Sequence, residues 1–313
     1  MPDLTTHALF AHHVLPLLDQ SLQDKINLHP QVFVLGAQGP DLLFFRKAVT
    51  GNSSLRKFGG MMHHSKVREV FDYMQNTLPS KKGMEREVLE IYCYGYVCHY
   101  FLDKIVHPFV YSEEERLKPI LSDYSHNALH AKIESEIDSA LYAHFTGKPV
   151  TEFSVRKEIG VSSSEKWIIA QFYTGLLQTV YGVNAPALEV DRSITEMIRV
   201  SSLLYDPTRI SYTAGSLVSA LIRPLRSTAS HMKPKSVAHD VLNLNGRRWQ
   251  NPSPPSQCSE LSVPLLFEQA KQEVLPLLEQ IEQTGHFSFD TSLDFSGRFP
   301  EANSQSPCYF VKK

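Results

Sequence analysis

The chain has 313 residues, 42% hydrophobic and 20% charged, with 15 glycines and 19 prolines. That balance excludes disordered, collagenous and low-complexity classes and suits one large or two small globular domains; at this length roughly 75% of the unfolded surface can be buried, so no disulfide staples are required. Lys and Arg total 31 against 33 Asp and Glu, a net charge of -2, which provides no global field for gathering nucleic acid or coating an anionic membrane.

The N-terminal MPDLTTHALF carries an early Asp3 and no Lys or Arg, unlike a secretory leader, and no apolar run approaches the roughly 18 residues that span a bilayer. The expectation is a soluble cytoplasmic protein. Cys93, Cys98, Cys258 and Cys308 lack CxxC spacing, and the first two, set in an apolar stretch, read as small buried hydrophobes.

Helical spacing begins at 4–20, which includes His7. Next, Gly36-Ala37-Gln38-Gly39-Pro40-Asp41-Leu42-Leu43-Phe44-Phe45 reads as a loop that delivers the Asp41 carboxylate to the mouth of an apolar helix. Met61-Met62-His63-His64-Ser65-Lys66 is expected to open the helix 65–78; adjacent residues diverge by about 100°, so one imidazole of the two faces a shared cleft. The segment 86–107 is apolar on more than one side and places His99, Asp103 and His107 at two successive i,i+4 steps. Each step advances only about 40°, so all three face one cleft. Pro108 is expected to end this helix. On 127–146, His130 and Glu134 form another i,i+4 pair. Imidazole nitrogens and carboxylate oxygens on facing helices are zinc ligands.

Further helices are expected at 165–181, 193–205 and 215–222. The stretch 227–260, with Lys233-Pro234, Asn251-Pro252 and Pro254-Pro255, has the composition of a surface loop. A last helix over 264–283 has Ser262 as its N-cap and a bend at Pro276; beyond it Phe287, Phe289, Leu293 and Phe295 suggest a short extended segment. The expected fold is all-α with one core: a helical domain at 1–226, a surface linker at 227–260, and a C-terminal helix and tail, 261–313, packed on the same domain.

Thr6-His7, the Gly36 to Asp41 run, Met62-His63 with Lys66 three residues on, His99-x3-Asp103-x3-His107-Pro108 and His130-x3-Glu134 together resemble the zinc-dependent phospholipase C family, nearest its cytoplasmic branch. That all-helical group includes the bacterial phosphatidylcholine-hydrolysing enzymes and the catalytic domain of clostridial alpha-toxin. The likeness covers about residues 4–140. It implies a multi-helix bundle, of the type shared with single-strand nucleases, around a buried metal cluster. Asp41, His63, His99 and Asp103 would hold one zinc, His107, His130 and Glu134 a second, and His7 with the other oxygen of Asp103 a third. The secreted relatives complete that third site with an N-terminal Trp, whereas six residues precede His7 here, so it is expected to be weak or empty.

The implied activity is phosphodiester hydrolysis by a zinc-activated water, with Asp41 or Glu134 taking the proton. Phospholipid is favoured over nucleic acid as substrate, because the likeness is closer to the phospholipase branch and the net charge gathers no polyanion. A nuclease or phosphomonoesterase on the same cluster is the first alternative. For that reading Tyr94, Tyr96, Tyr100, Phe101, Phe109 and Tyr111 would supply a stacking wall, and they equally could form a choline cage. A non-catalytic protein stapled by zinc is the second. Lys66, Lys104 and Lys132 are candidate phosphate partners, while His12, His13, His64 and His126 read as surface groups or partners of ligand imidazoles. No GxSxG is present, so serine catalysis has no support.

Overall fold

The computed structural model describes residues 4–48, 51, 53–205, 232–254, 256 and 258–299. The fold is all-α. Its helices are α1 (Leu4–Val14), α2 (Gln20–Ile26), α3 (Pro30–Gly36), α4 (Ser54–His64), α5 (Val67–Thr77), α6 (Gly83–Leu117), α7 (His126–Thr146), α8 (Val155–Ile159), α9 (Ser163–Tyr181) and α10 (Ala187–Leu204), with α11 (Val263–Thr284) after the undescribed stretch 206–231. The only described strands, Trp249–Gln250 and Cys258–Ser259, form one short antiparallel pair. No described helix is long and apolar enough to cross a membrane.

The axis of the molecule is α6, which packs against α1, α3, α7, α9 and α11. It is buried on nearly every face between Val88 and Val110, as its all-round apolar sequence requires. Against expectation it runs through Pro108. An interior proline costs about 3 kcal/mol, but Phe109 and Val110, both fully buried, each contribute about 1.5–3 kcal/mol only if the helix continues inward. Where α3 crosses α6, a Cβ on Gly36 would lie 2.2 Å from the Tyr92 carbonyl oxygen and one on Gly95 2.2 Å from that of Phe33. Two glycines let the backbones touch, which sets the residue after α3, Ala37, beside α6.

Other boundaries also differ from the sequence reading. The 4–20 segment breaks at Pro16 into α1 and a tight turn, and Asp19 then caps α2 by accepting from the Leu22 N–H at 2.8 Å. His63 and His64 close α4 rather than opening a helix; Ser65 is extended and Lys66 left-handed (φ 57°), so α5 starts afresh at Val67. Residues 39–45 form a 3-10 turn instead of a loop. The 215–222 segment and Cys308 lie outside the described residues. Part of the stretch read as a surface linker is buried, notably Lys233, Val241, Leu242 and Trp249, the last with its ring 5.5 Å from Phe109. Ser262 caps α11 as expected. The segment 285–299 makes turns rather than a strand, and Phe287 and Phe295 are fully buried against the bundle. Cys93 and Cys98 are buried, and burial pushes both thiols far above their ordinary pKa.

Candidate metal centre

Five elements bring the eight expected ligands into one continuous cluster. α6 supplies His99, Asp103 and His107 along one stripe, α7 supplies His130 and Glu134, α1 His7, the end of α4 His63 and the 3-10 turn Asp41. Asp103 lies at the centre: Oδ1 is 3.2 Å from His7 Nε2, and Oδ2 is 3.3 Å from His99 Nε2 and 4.0 Å from His63 Nε2. His63 Nε2 is also 3.1 Å from Asp41 Oδ1. On the other side, Glu134 Oε1 is 2.9 Å from His130 Nε2 and 3.8 Å from His107 Nε2.

Ligand atoms within 4.8 Å of one another fall into three sets: His63 with His99 and Asp103; His107 with His130 and Glu134; and His7 with Asp41 and His99. The third set adds Asp41 and His99 to the expected neighbours of His7, which also faces Asp103 Oδ1 at 3.2 Å while His99 faces Oδ2; the His7 ring stacks on that of His99 with centroids 4.3 Å apart. Residues 1–3, on which the expectation of a weak third site turned, lie outside the described residues.

The imidazoles are oriented by backbone oxygen. Nδ1–H donates from His63 to the Gly59 carbonyl (2.7 Å), from His99 to that of Ala37 (3.0 Å) and from His107 to that of Phe295 (2.9 Å). A carbonyl can only accept, so each Nδ1 carries the proton and each Nε2 presents a lone pair. Ala37 reaches His99 because of the α3–α6 glycine contact. Gly39 (φ 50°) then turns the chain over the ring, where a Cβ would sit 2.3 Å from His99 Cδ2.

Among the described residues, Asp41 Oδ1, both Asp103 carboxylate oxygens, His63 Nε2 and His99 Nε2 are buried without a hydrogen-bond partner. Each such atom costs about 1–3 kcal/mol, more when charged. Burial accordingly pushes Asp41 up and Asp103 to about 7, and depresses His99 and His107 strongly and His130 to about 4. Both shifts favour neutral groups, because protein atoms alone do not repay the desolvation. A divalent cation does, and a buried mixed set of imidazole nitrogens and carboxylate oxygens fits zinc.

A cavity of about 500 Å³ opens onto His63, His107, His130 and Glu134, with Phe44, Tyr111 and Arg298 among its walls. Of the six aromatic residues considered for a wall or cage, Tyr111 alone lines it; Tyr94, Tyr96, Tyr100, Phe101 and Phe109 are core. The three lysines are also engaged elsewhere. Lys66 Nζ donates to the Val180 carbonyl at 2.7 Å, Lys104 pairs with Glu273 at 3.4 Å, and Lys132 with Glu136. His12 meets Glu158, His64 meets Asp294, and His13 packs on Phe145 and Phe267.

Two supporting carboxylates escape a reading by ligand motif. Glu114 lies 3.3 Å from His130 Nδ1 and 2.5 Å from His126 Nδ1, orienting a candidate ligand from behind. Asp138 accepts from the N–H groups of Thr5 and Thr6 at 3.0 Å and from the Thr6 hydroxyl, and pairs with Lys233 at 3.0 Å. It thereby fixes the start of α1 and, one residue on, His7. Periodicity held the signal: 130, 134 and 138 share one stripe of α7, and 114 lies two turns beyond 107.

These features define an all-helical protein with a buried cluster of His, Asp and Glu side chains that could hold metal, set beneath a cavity. A family model for zinc-dependent phospholipase C matches residues 6–184. The chain belongs to that family. No curated protein and no solved structure matches it.

Proposed function

We propose that this protein is a zinc-dependent phosphodiester hydrolase of phospholipase C type. Asp41, His63, His99 and Asp103 hold one zinc, His107, His130 and Glu134 a second, and His7 with Asp103 contributes to a weaker third. The observation that carries this reading is the convergence of two carbonyl-fixed imidazoles, His63 and His99, on the unpartnered oxygens of Asp41 and Asp103, with a third, His107, facing Glu134 beside His130. Zinc in such a cluster supplies Lewis-acid stabilisation of phosphoryl oxygens and a lowered pKa for water.

The chain's own residues divide the remaining work. Glu134 lines the cavity and Asp41 does not, which favours Glu134 as the group that takes the proton and leaves Asp41 to hold metal. Phe44, stacked on His63 at 5.5 Å, and Tyr111 form two walls of the site. The open cavity beside His107, His130 and Glu134 argues against a purely structural zinc, whose coordination shell would be closed. One wall aromatic from α6 is a poor platform for stacked bases, and a charge of -2 gathers no polyanion, so phospholipid is favoured over nucleic acid.

The test offers purified, zinc-loaded protein a phospholipid in mixed micelles, a phosphomonoester and a single-stranded oligonucleotide, with Asp41→Asn and Glu134→Gln as controls. Phospholipid cleavage to diacylglycerol, lost in both variants, is expected. Faster oligonucleotide cleavage would assign the protein to the nuclease reading, and no variant-sensitive cleavage of any ester would leave zinc a structural role.

A further inference from the structure

The cavity wall carries a cationic side chain that the candidate ligand sets do not explain. Arg298 stands over the face of Tyr111, its guanidinium carbon 3.8 Å from the ring centroid. Tyr111 in turn stacks on His107 at 5.6 Å and lies 5.2 Å from His130. The guanidinium is thus tied through one ring to two candidate ligands.

At least one of its donors is unused: Arg298 Nε is buried with no hydrogen-bond partner among the described residues. The adjacent carboxylate, Asp294, is committed elsewhere: Oδ1 accepts from the backbone N–H groups of Ser296 and Arg298 at 2.8 and 3.0 Å, and Oδ2 meets His64 Nδ1 at 3.0 Å. Stacking uses the face of a guanidinium and leaves its in-plane N–H edge available, the geometry that matches a carboxylate or phosphoryl oxyanion.

The segment that delivers Arg298 is held firmly. Phe295 donates its N–H to the His63 carbonyl at 3.1 Å and accepts from His107 Nδ1. Gly297 approaches α6 so closely that a Cβ would lie 2.5 Å from the Lys104 carbonyl and 2.8 Å from the Pro108 ring. The position of Arg298 is therefore coupled to two candidate ligands, although it lies more than 100 residues beyond the family-matched stretch.

We propose that Arg298 is the phosphoryl-oxyanion-binding residue of this cleft. Its role on a substrate rests on the hydrolase reading, while its role as an anion seat does not. Because Arg298 already covers the face of Tyr111, that ring cannot cradle a quaternary ammonium, and the anionic part of a ligand is the part that faces it. The shared ligand chemistry is a phosphoryl oxyanion, whether of a lipid ester or of free phosphate.

Inorganic phosphate is titrated calorimetrically into the zinc-loaded full chain as wild type, Arg298→Gln and Arg298→Lys, with zinc per chain and thermal midpoint recorded for each. A second arm measures KM and kcat on short-chain phosphatidylglycerol. Arg298→Gln should weaken phosphate binding and raise KM by about tenfold or more, the loss expected of a charge-assisted hydrogen bond, with zinc content unchanged. Arg298→Lys should fall in between, and it is read by the same titration if the glutamine variant melts early. Loss in both arms gives the seat to the ester phosphate, and loss in the phosphate arm alone gives it to the free ion. No phosphate binding by the wild type, unchanged affinity in Arg298→Gln, or loss of zinc from both variants overturns the proposal. Arg298-dependent phosphate binding without ester cleavage by the wild type would overturn the hydrolase reading and keep the anion seat.

Discussion

Asp103 lies within 4.0 Å of imidazole nitrogens from four histidines, His7, His63, His99 and His107, whereas His7 is assigned only to the weaker third site. Asp103→Asn should therefore abolish turnover, while His7→Ala should leave a measurable fraction; equal and complete loss in steady-state assays would contradict that ranking. His99 belongs to two sets, so His99→Ala should lose at least one zinc per chain by metal analysis. Glu114→Gln is a subtler test. It preserves shape but removes the carboxylate behind His130, and outer partners of this kind are worth roughly 10–100-fold in metal affinity or activity, so the variant should lose zinc to a competing chelator at that lower affinity while melting like wild type once both are stripped of zinc. At this scale the sequence was informative for which candidate ligands converge, because i,i+4 spacing forces 99, 103 and 107 onto one stripe. It was uninformative for cations: the lysines adjacent to ligands turn away to Val180, Glu273 and Glu136, while the arginine in the cleft is remote in sequence.

The crossing of α3 and α6 converts two glycines into a ligand orientation. At Gly36 an added Cβ meets the Tyr92 carbonyl at 2.2 Å, whereas at Gly60, also helical, it meets nothing within 4 Å. The same substitution should thus have opposite signs. Gly36→Ala should cost about 1–3 kcal/mol by overpacking and, by displacing the Ala37 carbonyl from His99, lower zinc affinity; Gly60→Ala should gain up to about 1 kcal/mol from helix propensity. Denaturant unfolding with metal analysis checks both, and equal stability of the two variants would show that the crossing relaxes freely. Helical periodicity made α7, α9 and α11 legible to within a few residues of both ends, and α6 at its start alone. It failed at Pro108, where buried Phe109 and Val110 outweigh a local rule, and at 61–66, where left-handed Lys66 splits what reads as one helix. Local sequence states a preference, and burial elsewhere decides it.

Across the whole molecule the centre is closed by parts of the chain that no local pattern connects. His107 is held by Phe295, 188 residues away, and the start of α1 by Asp138, itself paired with Lys233 from a segment read as surface. Such contacts carry no spacing signal, so the role of the C-terminal segment emerged only in three dimensions. They also tie metal binding to global stability. Candidate ligands come from five elements, and without a cation at least five of their polar atoms are buried without hydrogen bonds. Zinc bound only by the native state stabilises it by about 4 kcal/mol when free metal exceeds Kd a thousandfold, which for a domain of this size corresponds to a thermal midpoint shift on the order of 10 °C. Stripping zinc with a chelator, then removing the chelator, should lower the midpoint by about that much, and stoichiometric zinc should restore it. His99→Ala, which leaves the set of His107, His130 and Glu134 intact, should melt below the loaded wild type and gain less from added zinc than the stripped wild type does, which separates specific binding from a general ionic effect. A stripped protein, verified free of zinc, that melts with the loaded one would show that the buried carboxylates and imidazoles satisfy one another without a metal, and the cluster would lose its claim to be a metal centre.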